Sequence, residues 1–315
     1  MSRIVTLGES MGVAATSAGQ PLRTAGQLRL STAGAESTVA IGLSRLGHAV
    51  EWIGVVGADE LGARVLRDLA AERVGLTYSR TVAGVATGFM IRELATAELT
   101  RVTYYRAASA GSLLAPADVL PAIAAGADIL HVTGITPALS ESCAAAVQAA
   151  VEQANASGIT VSFDVNQRQS LPLSGRAREV AAQLLPLVDI LFVGQDELWV
   201  LSDETDPLSA AKELLKRGPS EVVVKRGTEP AIALNTSGEL TECAAWPVQV
   251  IDVVGAGDSF VAGYLAAGAE GLPMADRLRW ATTCAACTVG TAGDWEGLPT
   301  RADIEYRGAA AVTRR

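Results

Sequence analysis

The feature that most constrains the fold is a regular alternation of short β-rich runs with segments of helical length. The runs that predict strands are 3–7, 49–56, 129–132, 160–165, 190–193 and 221–224. The segments that predict helices are 36–46, 60–72, 140–156, 176–185 and 207–216. This order predicts βαβ units and therefore an α/β fold with a doubly wound, mainly parallel sheet flanked by helices.

Two stretches interrupt the alternation, at about 13–32 and 85–106. Thr, Tyr, Phe and Val occur there without a helical period, so we expect extra strands outside the main sheet. Brought together, these strands would form a small β-lid over a site. Because no low-complexity linker or internal repeat divides the chain, we expect one domain over residues 1–315 with the lid inserted in it.

Composition limits the class of protein and its partners. The 315 residues are 49% hydrophobic, which suits a sizeable core, and no apolar run approaches the ~20 residues that span a bilayer. Residues 1–5 run directly into a strand pattern without a secretory signal, and four cysteines are too few for a disulfide scaffold, so we expect a cytoplasmic protein. A net charge of −9 argues against nucleic acid and anionic membranes as partners.

The segment 248–269 carries the strongest chemical signal. Residues 248–254 predict a strand, residues 261–269 predict a helix, and Gly255-Ala256-Gly257 between them has almost no side-chain bulk. Amides of such a turn can approach a phosphate at the positive end of a helix and stabilise charge on a transferred phosphoryl group. Asp258 would then accept a proton from a substrate hydroxyl, the alternative being a helix N-cap. The surrounding Asp-x-x-Gly-Ala-Gly-Asp pattern favours the catalytic interpretation.

Residues 252–265 resemble the second signature of the ribokinase or PfkB family of sugar kinases, and residues 33–47 resemble its first signature. Together the two are more specific than either alone. The resemblance implies a ribokinase-like fold, ATP as phosphoryl donor, and sugar contacts from Gly34, Ala35 and Thr38. Relatives usually carry Asn where this chain has Thr38, and a hydroxyl lacks the reach of an amide. An amphipathic core helix is the alternative for residues 36–46.

Three further segments, 104–106, 134–139 and 164–168, are similar to the 2-keto-3-deoxygluconate kinase branch of that family. The resemblance implies sugar-acid contacts from Tyr104, Arg106 and Arg168, with Asn166 and Arg168 toward the phosphates and Asp294 at the sugar site. Planar guanidinium groups suit a carboxylate, which a neutral sugar does not have. The alternatives are a surface cation for Arg106, an ion pair for Arg168, lid packing for Tyr104 and a loop cap for Asp294.

The nucleotide side carries weaker signals. Resemblance places Lys225, Gly227 and Thr282 beside the adenine and phosphates, although an ordinary strand exit and a core helix are equally compatible with them. Glu197 resembles the acidic end of the family's Asn-x-x-Glu motif and so implies a Mg²⁺ site, the alternative being a solvated acid at a helix start. Gly194 replaces the Asn of that motif. A monovalent cation is left open as a further ligand.

The sequence therefore predicts ATP-dependent phosphorylation of a terminal hydroxyl of a small sugar acid, with 2-keto-3-deoxygluconate and its 6-phosphate as the best-supported pair. The alternatives are a neutral-sugar kinase of ribokinase or fructokinase type, and a ligand sensor on the same fold that has lost turnover. Neither a Walker phosphate loop nor a Rossmann glycine pattern at the first strand is present in the sequence. Because strand edges invite pairing, a homodimer through the lid is a further hypothesis.

Overall fold

The computed structural model describes residues 1–94 and 100–310 of the chain. Its strands, in chain order, are β1 (Arg3–Leu7), β2 (Met11–Ala15), β3 (Arg29–Ala33), β4 (Ala49–Ile53), β5 (Val55–Gly57), β6 (Arg80–Val82), β7 (Phe89–Leu94), β8 (Thr100–Tyr105), β9 (Ile129–Thr133), β10 (Thr160–Asp164), β11 (Ile190–Gly194), β12 (Glu221–Lys225), β13 (Ala231–Asn235) and β14 (Leu240–Cys243). Its α-helices are α1 (Ala35–Arg45), α2 (Glu60–Ala71), α3 (Pro116–Ala124), α4 (Glu141–Ala156), α5 (Ala177–Leu184), α6 (Pro207–Leu215), α7 (Ala256–Ala269), α8 (Met274–Val289) and α9 (Arg301–Ala310). Among these residues no helix is long and apolar enough to cross a membrane.

An eight-stranded main sheet has the order β14-β13-β12-β11-β10-β9-β1-β4. Its strands from β12 to β4 pair in parallel, and β13 and β14 add an antiparallel edge. The central strands are apolar runs buried on both faces, as parallel strands between two helical layers must be. One core cluster joins the sheet to α3, α4, α5 and α6, and a second joins it to α1, α2, α7 and α8. The expected ribokinase-like α/β architecture is confirmed.

A separate four-stranded sheet has the order β3-β2-β7-β8, and we call it the lid sheet. Its strands come from the two stretches that interrupt the alternation, and Leu22–Thr24 forms a 3₁₀ turn in the first of them. Residues 95–99 of the second stretch lie outside the described residues. The side chains of β7 alternate between partly and fully buried, and Met90, Arg92 and Leu94 form the fully buried set. One face of this strand is therefore turned inward.

The helix positions agree with the sequence expectations within one residue at most ends, and polar caps explain several starts. The side chains of Asp59, Ser140 and Asp206 each accept a hydrogen bond from a backbone amide in the first turn of the helix that follows. Two strand expectations need correction. The run 49–56 is split into β4 and β5 at Gly54, and residues 248–254 are not a strand.

Candidate active site

A cavity of about 900 Å³ lies where the main sheet faces the lid sheet. Residues that follow β10, β11 and β12 line one side, and Met90, Arg92 and Tyr104 of the lid sheet line the other. The carboxyl ends of parallel strands are the usual ligand position in open α/β sheets, because loops and helix starts converge there. A volume of this size suits a small-molecule site.

The turn before α7 is shaped by glycine at Gly255. Its φ of +76° lies in the left-handed region, and a Cβ placed there would lie 2.1 Å from the main-chain oxygen of Asp294. Gly255 is the N-cap of α7, so the amides of Ala256, Gly257 and Asp258 belong to the first turn. First-turn amides have no acceptor within their own helix, so this end of α7 is a favourable position for an anion.

Asp258 lies in the first turn of α7 rather than at its N-cap. The side-chain amide of Asn166 donates to Asp258 Oδ1 at 3.0 Å, and Asn166 itself has a left-handed backbone with φ of +37°. Burial raises the pKa of Asp258 against the lowering influence of Arg168 and of Lys225. A carboxylate with a raised pKa is a stronger base than a solvated one, and here it faces the cavity.

A buried ion pair lies next to Asp258. Lys225 Nζ donates to both carboxylate oxygens of Asp164 at 2.7 Å. Burial opposes the ammonium charge, but the carboxylates of Asp164 and Glu197 outweigh it and raise the pKa of Lys225, so the lysine stays charged. A Cβ on Gly257 would lie 3.6 Å from Lys225 Nζ, which places this positive charge against the glycine turn.

Glu197 lies in a 3₁₀ turn after β11 and lines the cavity. Its two carboxylate oxygens accept hydrogen bonds from the amides of Gly194 at 2.9 Å and Gln167 at 2.7 Å. Burial and the neighbouring charge of Asp164 raise the pKa of Glu197. The described residues contain no group of three or more His, Cys, Asp or Glu side chains that would hold a metal ion. We call this side of the cavity the reactive wall. Its residues are Asn166, Arg168, Glu197, Lys225 and Asp258.

On the lid side, Arg106 is held by Glu9. Arg106 Nε donates to Glu9 Oε2 at 2.7 Å, and Arg106 Nη2 contacts the same oxygen. The other oxygen of Glu9 accepts a hydrogen bond from Ser109 Oγ. The guanidinium carbon of Arg106 also lies 5.5 Å from the ring centre of Tyr104, within the range of a cation–π contact. Much of the charge of Arg106 is therefore balanced inside the protein before any ligand binds.

A second lid arginine, Arg92, enters the same region from β7. Arg92 Nη1 donates to Asp294 Oδ1 at 2.5 Å and lies 3.4 Å from Asp252 Oδ2. Burial raises the pKa of Asp294 to about 6, although Arg92 acts to lower it. Arg92 and Arg106 together form what we call the lid wall.

An apolar side of the cavity completes it. Trp246 lines the cavity, as do Val250 and Val253 from the segment 248–254 where a strand was expected. Val250 and Val253 are 45% and 63% exposed. Their apolar side chains therefore line a surface that a flat, weakly polar group can cover, which explains an apolar run outside any sheet.

The structure brings most of the predicted site residues to this one cavity. Those that line it are Gly34, Ala35, Tyr104, Arg106, Asn166, Arg168, Glu197, Lys225, Gly227, Gly255, Ala256, Gly257, Asp258, Thr282 and Asp294. Thr38 is the exception, because it is 1% exposed inside α1 and does not line the cavity. Its amide donates to the oxygen of Gly34. The structure thus keeps the Thr38 side chain apart from the cavity, and its sugar contact stays a prediction.

Sequence reasoning missed Glu9, Arg92 and Asp164, each of which fixes or balances a charge in the cavity. The predicted topology of the main sheet could have identified Glu9 and Asp164. Glu9 follows β1 and Asp164 ends β10, and the carboxyl ends of neighbouring parallel strands meet at one edge of the sheet. Arg92 gave a different signal, a charged residue at a position in β7 where the period-two pattern of the strand requires an inward side chain.

Comparison with known proteins identifies the family. The model of the pfkB family of carbohydrate kinases matches residues 1–301. This chain belongs to the PfkB family of carbohydrate kinases. A protein from Bacillus subtilis named 2-dehydro-3-deoxygluconokinase is 35% identical to it, over 94% of this chain and 92% of that protein.

Two further relatives of this PfkB-family kinase are informative. A fructokinase from Klebsiella pneumoniae is 34% identical, over 89% of this chain and 92% of that protein. A protein from E. coli assigned to ribokinase II, solved in complex with ATP and Mg²⁺, has a TM-score of 0.91 and 27% identity and covers 98% of this chain and 100% of that one. The relatives therefore agree on a sugar kinase but differ in the sugar that they are named for.

Proposed function

We propose that this PfkB-family kinase transfers the terminal phosphoryl group of ATP to the terminal hydroxyl of 2-keto-3-deoxygluconate, which yields the 6-phosphate. The observation that carries the sugar-acid choice is Arg168. In the described part of the chain, the hydrogen bond of its guanidinium goes to the main-chain oxygen of Gln167 at 3.2 Å, and no carboxylate pairs with it. A guanidinium that lines the cavity without an acidic partner is suited to bind a substrate carboxylate.

The chemical step follows from the position of Asp258. Its carboxylate accepts the proton of the substrate hydroxyl while that oxygen forms a bond to the γ-phosphorus of ATP. The bond from the γ-phosphorus to the bridging oxygen breaks, and ADP leaves with the electron pair. Amides of the first turn of α7, together with the Lys225 ammonium, stabilise the negative charge on the transferring group.

The reactive wall fits a magnesium ion that is held mostly by phosphates and water. Glu197, which lines the cavity, would hold it, because Mg²⁺ takes one or two carboxylates beside phosphate and water oxygens. When bound, the ion neutralises charge on the phosphates. The reactive wall holds two carboxyl groups, Glu197 and Asp258, beside the cations of Arg168 and Lys225, and Lys225 is already paired with Asp164, so the wall alone cannot balance a polyphosphate.

The apolar side of the cavity suits the nucleotide base. Trp246, Val250 and Val253 offer apolar side chains to the cavity, which Gly227 and Thr282 also line. The E. coli protein with TM-score 0.91 was solved with ATP and Mg²⁺, which supports both as ligands of this chain. A monovalent cation stays a prediction, and turnover in potassium compared with sodium at equal ionic strength tests it.

A neutral-sugar kinase is the second candidate, and one observation favours it. Arg106, expected from the sequence to bind the acid, is already paired with Glu9. Because Glu9 already balances the charge of Arg106, the lid side of the cavity does not require an anionic substrate to neutralise it. The fructokinase among the relatives is almost as similar as the deoxygluconokinase.

The deciding experiment is a coupled assay of ADP release with ATP, Mg²⁺ and a panel of 2-keto-3-deoxygluconate, its C4 epimer, fructose and ribose. We expect the highest kcat/KM with a sugar acid and complete loss of turnover when a chelator removes the divalent ion. Higher kcat/KM with fructose or ribose would establish the neutral-sugar alternative. Nucleotide binding without transfer to any sugar would favour a ligand sensor.

Two predictions about organisation belong to the same proposal. We propose that the chain acts as one domain in which the lid sheet closes over the bound sugar. The outer strands β3 and β8 of that sheet each have an edge that no described strand pairs. Such edges invite pairing with a second copy, so a homodimer is expected, and a monomer mass by light scattering at all concentrations would contradict it.

A further inference from the structure

Arg92 is one of the largest fully buried side chains of the protein, and it comes from the lid sheet rather than from the core. Its neighbours on the inward face of β7, Met90 and Leu94, are apolar. A buried ion pair contributes little net stability compared with well-packed apolar residues, because both charges lose their hydration. An apolar side chain at position 92 would pack with Met90 and Leu94 without the cost of burying a charge. The charged side chain of Arg92 therefore requires a reason other than packing.

The acids that Arg92 reaches belong to the two segments that shape the start of α7. Asp252 lies three residues before Gly255, and its carboxylate accepts hydrogen bonds from the amides of Val254 and Gly293, each at 3.2 Å. It therefore ties the turn before α7 to the segment that contains Asp294. The main-chain oxygen of Asp294 packs directly on Gly255, where it leaves no room for a Cβ.

One guanidinium thus connects the lid sheet to both segments that determine the position of the α7 amides. The two carboxylates carry two negative charges, and Arg92 supplies the nearby positive charge that lets them remain close together in a buried place. Arg92 Nε has no hydrogen-bond partner among the described residues. An unsatisfied buried donor is costly, which again indicates that this residue is not selected for stability alone.

We propose that Arg92 is a positioning residue that couples the lid sheet to the phosphate-binding turn, so that the first-turn amides of α7 are correctly aligned only when the lid strand β7 is in place. Sugar binding beneath the lid and alignment of the anion site are then one linked event. This inference rests on the proposed phosphoryl transfer, whichever sugar is the acceptor. In this role Arg92 acts through Asp252 and Asp294, the two carboxylates that its guanidinium contacts, rather than on the reacting atoms.

The test uses the full chain with Arg92→Ala, Arg92→Lys and the control Arg101→Ala, which removes an exposed arginine from β8 of the same sheet. Misalignment of a catalytic group by about 1 Å costs up to roughly 100-fold in rate, so we expect Arg92→Ala to lower kcat by about 10- to 100-fold. ATP affinity measured without sugar should change less than about threefold, since Trp246 and Val250 on the apolar side of the cavity are unchanged. Arg101→Ala should behave as the wild type.

Chemical rescue and hydrogen exchange separate positioning from general damage. Guanidinium at non-denaturing concentration should restore much of the activity of Arg92→Ala but none of the activity lost in Asp258→Asn. Hydrogen–deuterium exchange of peptides that cover 252–258 should rise in Arg92→Ala and stay unchanged in the central strands β9 and β10. That readout needs no sugar, so it decides the inference even if the wild type phosphorylates none of the sugars tested.

Three outcomes would overturn the proposal. They are wild-type kcat in a folded Arg92→Ala, a loss of kcat that guanidinium does not restore, and exchange at 252–258 that matches the wild type. If Arg92→Ala does not fold, Arg92→Lys takes its place, since it keeps a charge that can reach one carboxylate. It should then show an intermediate kcat together with raised exchange at 252–258.

Discussion

The two walls of the cavity differ in whether their arginine side chains are paired with carboxylates. On the lid wall, each guanidinium is already paired, Arg106 with Glu9 and Arg92 with Asp294. On the reactive wall, burial raises the pKa of Asp258 and of Glu197, and Arg168 has no carboxylate partner in the described part of the chain. Both guanidinium groups of the lid wall are therefore paired within the protein, whereas the guanidinium of Arg168 on the reactive wall is left for a ligand.

This difference separates residues that position from residues that react. Preorganised charges that are not neutralised by the protein can respond to charge that develops in a substrate, which is the main source of electrostatic catalysis. Charges that are paired internally mainly fix the geometry of the elements that carry them. Substitutions in and behind the two walls test this division between positioning and reacting residues. The expected effect on the rate of transfer decreases from Asp258 to Arg168 and Arg106, and then to Glu36.

The largest effect should come from Asp258→Asn on the reactive wall. Asparagine nearly preserves the volume and can still accept a hydrogen bond, but it cannot take the proton of the attacking hydroxyl. General-base assistance commonly contributes roughly 10²–10⁴-fold, so single-turnover phosphoryl transfer should fall by that order. Nucleotide affinity and melting temperature should change little. Because Gly255 rather than Asp258 is the N-cap of α7, no loss of helix capping is expected.

Two outcomes of that experiment would break the division. Transfer at a rate close to the wild type would remove Asp258 as the base. Unfolding of Asp258→Asn would assign the residue a structural role and place it with the lid wall. Thermal melting and circular dichroism of the variant must therefore be measured beside the rate.

A smaller effect separates Arg168 from Arg106. Charge-assisted hydrogen bonds are worth about 1.5–3 kcal/mol, so Arg168→Ala should lower kcat/KM for 2-keto-3-deoxygluconate by roughly 10- to 100-fold, and much less for a neutral sugar. Arg106→Ala should lower kcat/KM equally for the sugar acid and the neutral sugar, because it leaves the buried carboxylate of Glu9 without its partner. The measurement is kcat/KM for each variant with an acid and a neutral sugar.

A matched control sharpens this test. Arg106→Ala combined with Glu9→Gln removes the uncompensated charge and should recover part of the activity with both sugars. Equal losses for the two sugars in Arg168→Ala would contradict the assignment of Arg168 to the substrate carboxylate and favour a role with phosphate. A loss confined to the sugar acid in Arg106→Ala would show that the lid wall also binds substrate.

The sequence could predict the main sheet because the alternation of apolar strands and amphipathic helices is a local property. The strand predicted at residues 248–254 is wrong, because Val250 and Val253 line the cavity instead of joining a sheet. An apolar pattern alone does not distinguish a strand from a cavity lining. The split at Gly54 could not be predicted from the run 49–56, because β4 pairs with β1 whereas β5 pairs with β6, and no local pattern encodes that change of partner.

Within the site, the glycine turn and Asp258 could be predicted because they are contiguous in the chain. The partners of the lid arginines could not, since Arg106 and Glu9 are 97 residues apart and Arg92 and Asp294 are 202 residues apart. Each of those pairs depends on how the lid sheet is placed over the main sheet, a relation that no local pattern encodes. The same limit applies to Asp164, whose lysine partner Lys225 lies two strands away.

The smallest effect on rate should come from Glu36, a buried acid behind the reactive wall, which changes stability instead. Glu36 Oε1 accepts hydrogen bonds from Thr133 Oγ1 at 2.7 Å and Thr136 Oγ1 at 2.6 Å, while Oε2 has no partner among the described residues. Burial raises the pKa of Glu36 to about 7, despite those two hydrogen bonds. The carboxyl is therefore protonated in the folded protein at a pH where it is ionised in the unfolded chain.

The sign of the pH dependence follows from that difference. Between about pH 4.5 and 7 the folded state binds more protons at Glu36 than the unfolded state, so its contribution to stability falls as pH rises and levels off above 7. Glu36→Gln keeps the shape and cannot ionise, so its stability relative to the wild type should increase across this window by on the order of 3 kcal/mol. Urea unfolding of both proteins at pH 5, 6, 7 and 8 measures this, with Glu60→Gln at the exposed start of α2 as control. A constant difference between wild type and Glu36→Gln over that range would mean that Glu36 is ionised in the folded protein and adds a negative charge near Asp258.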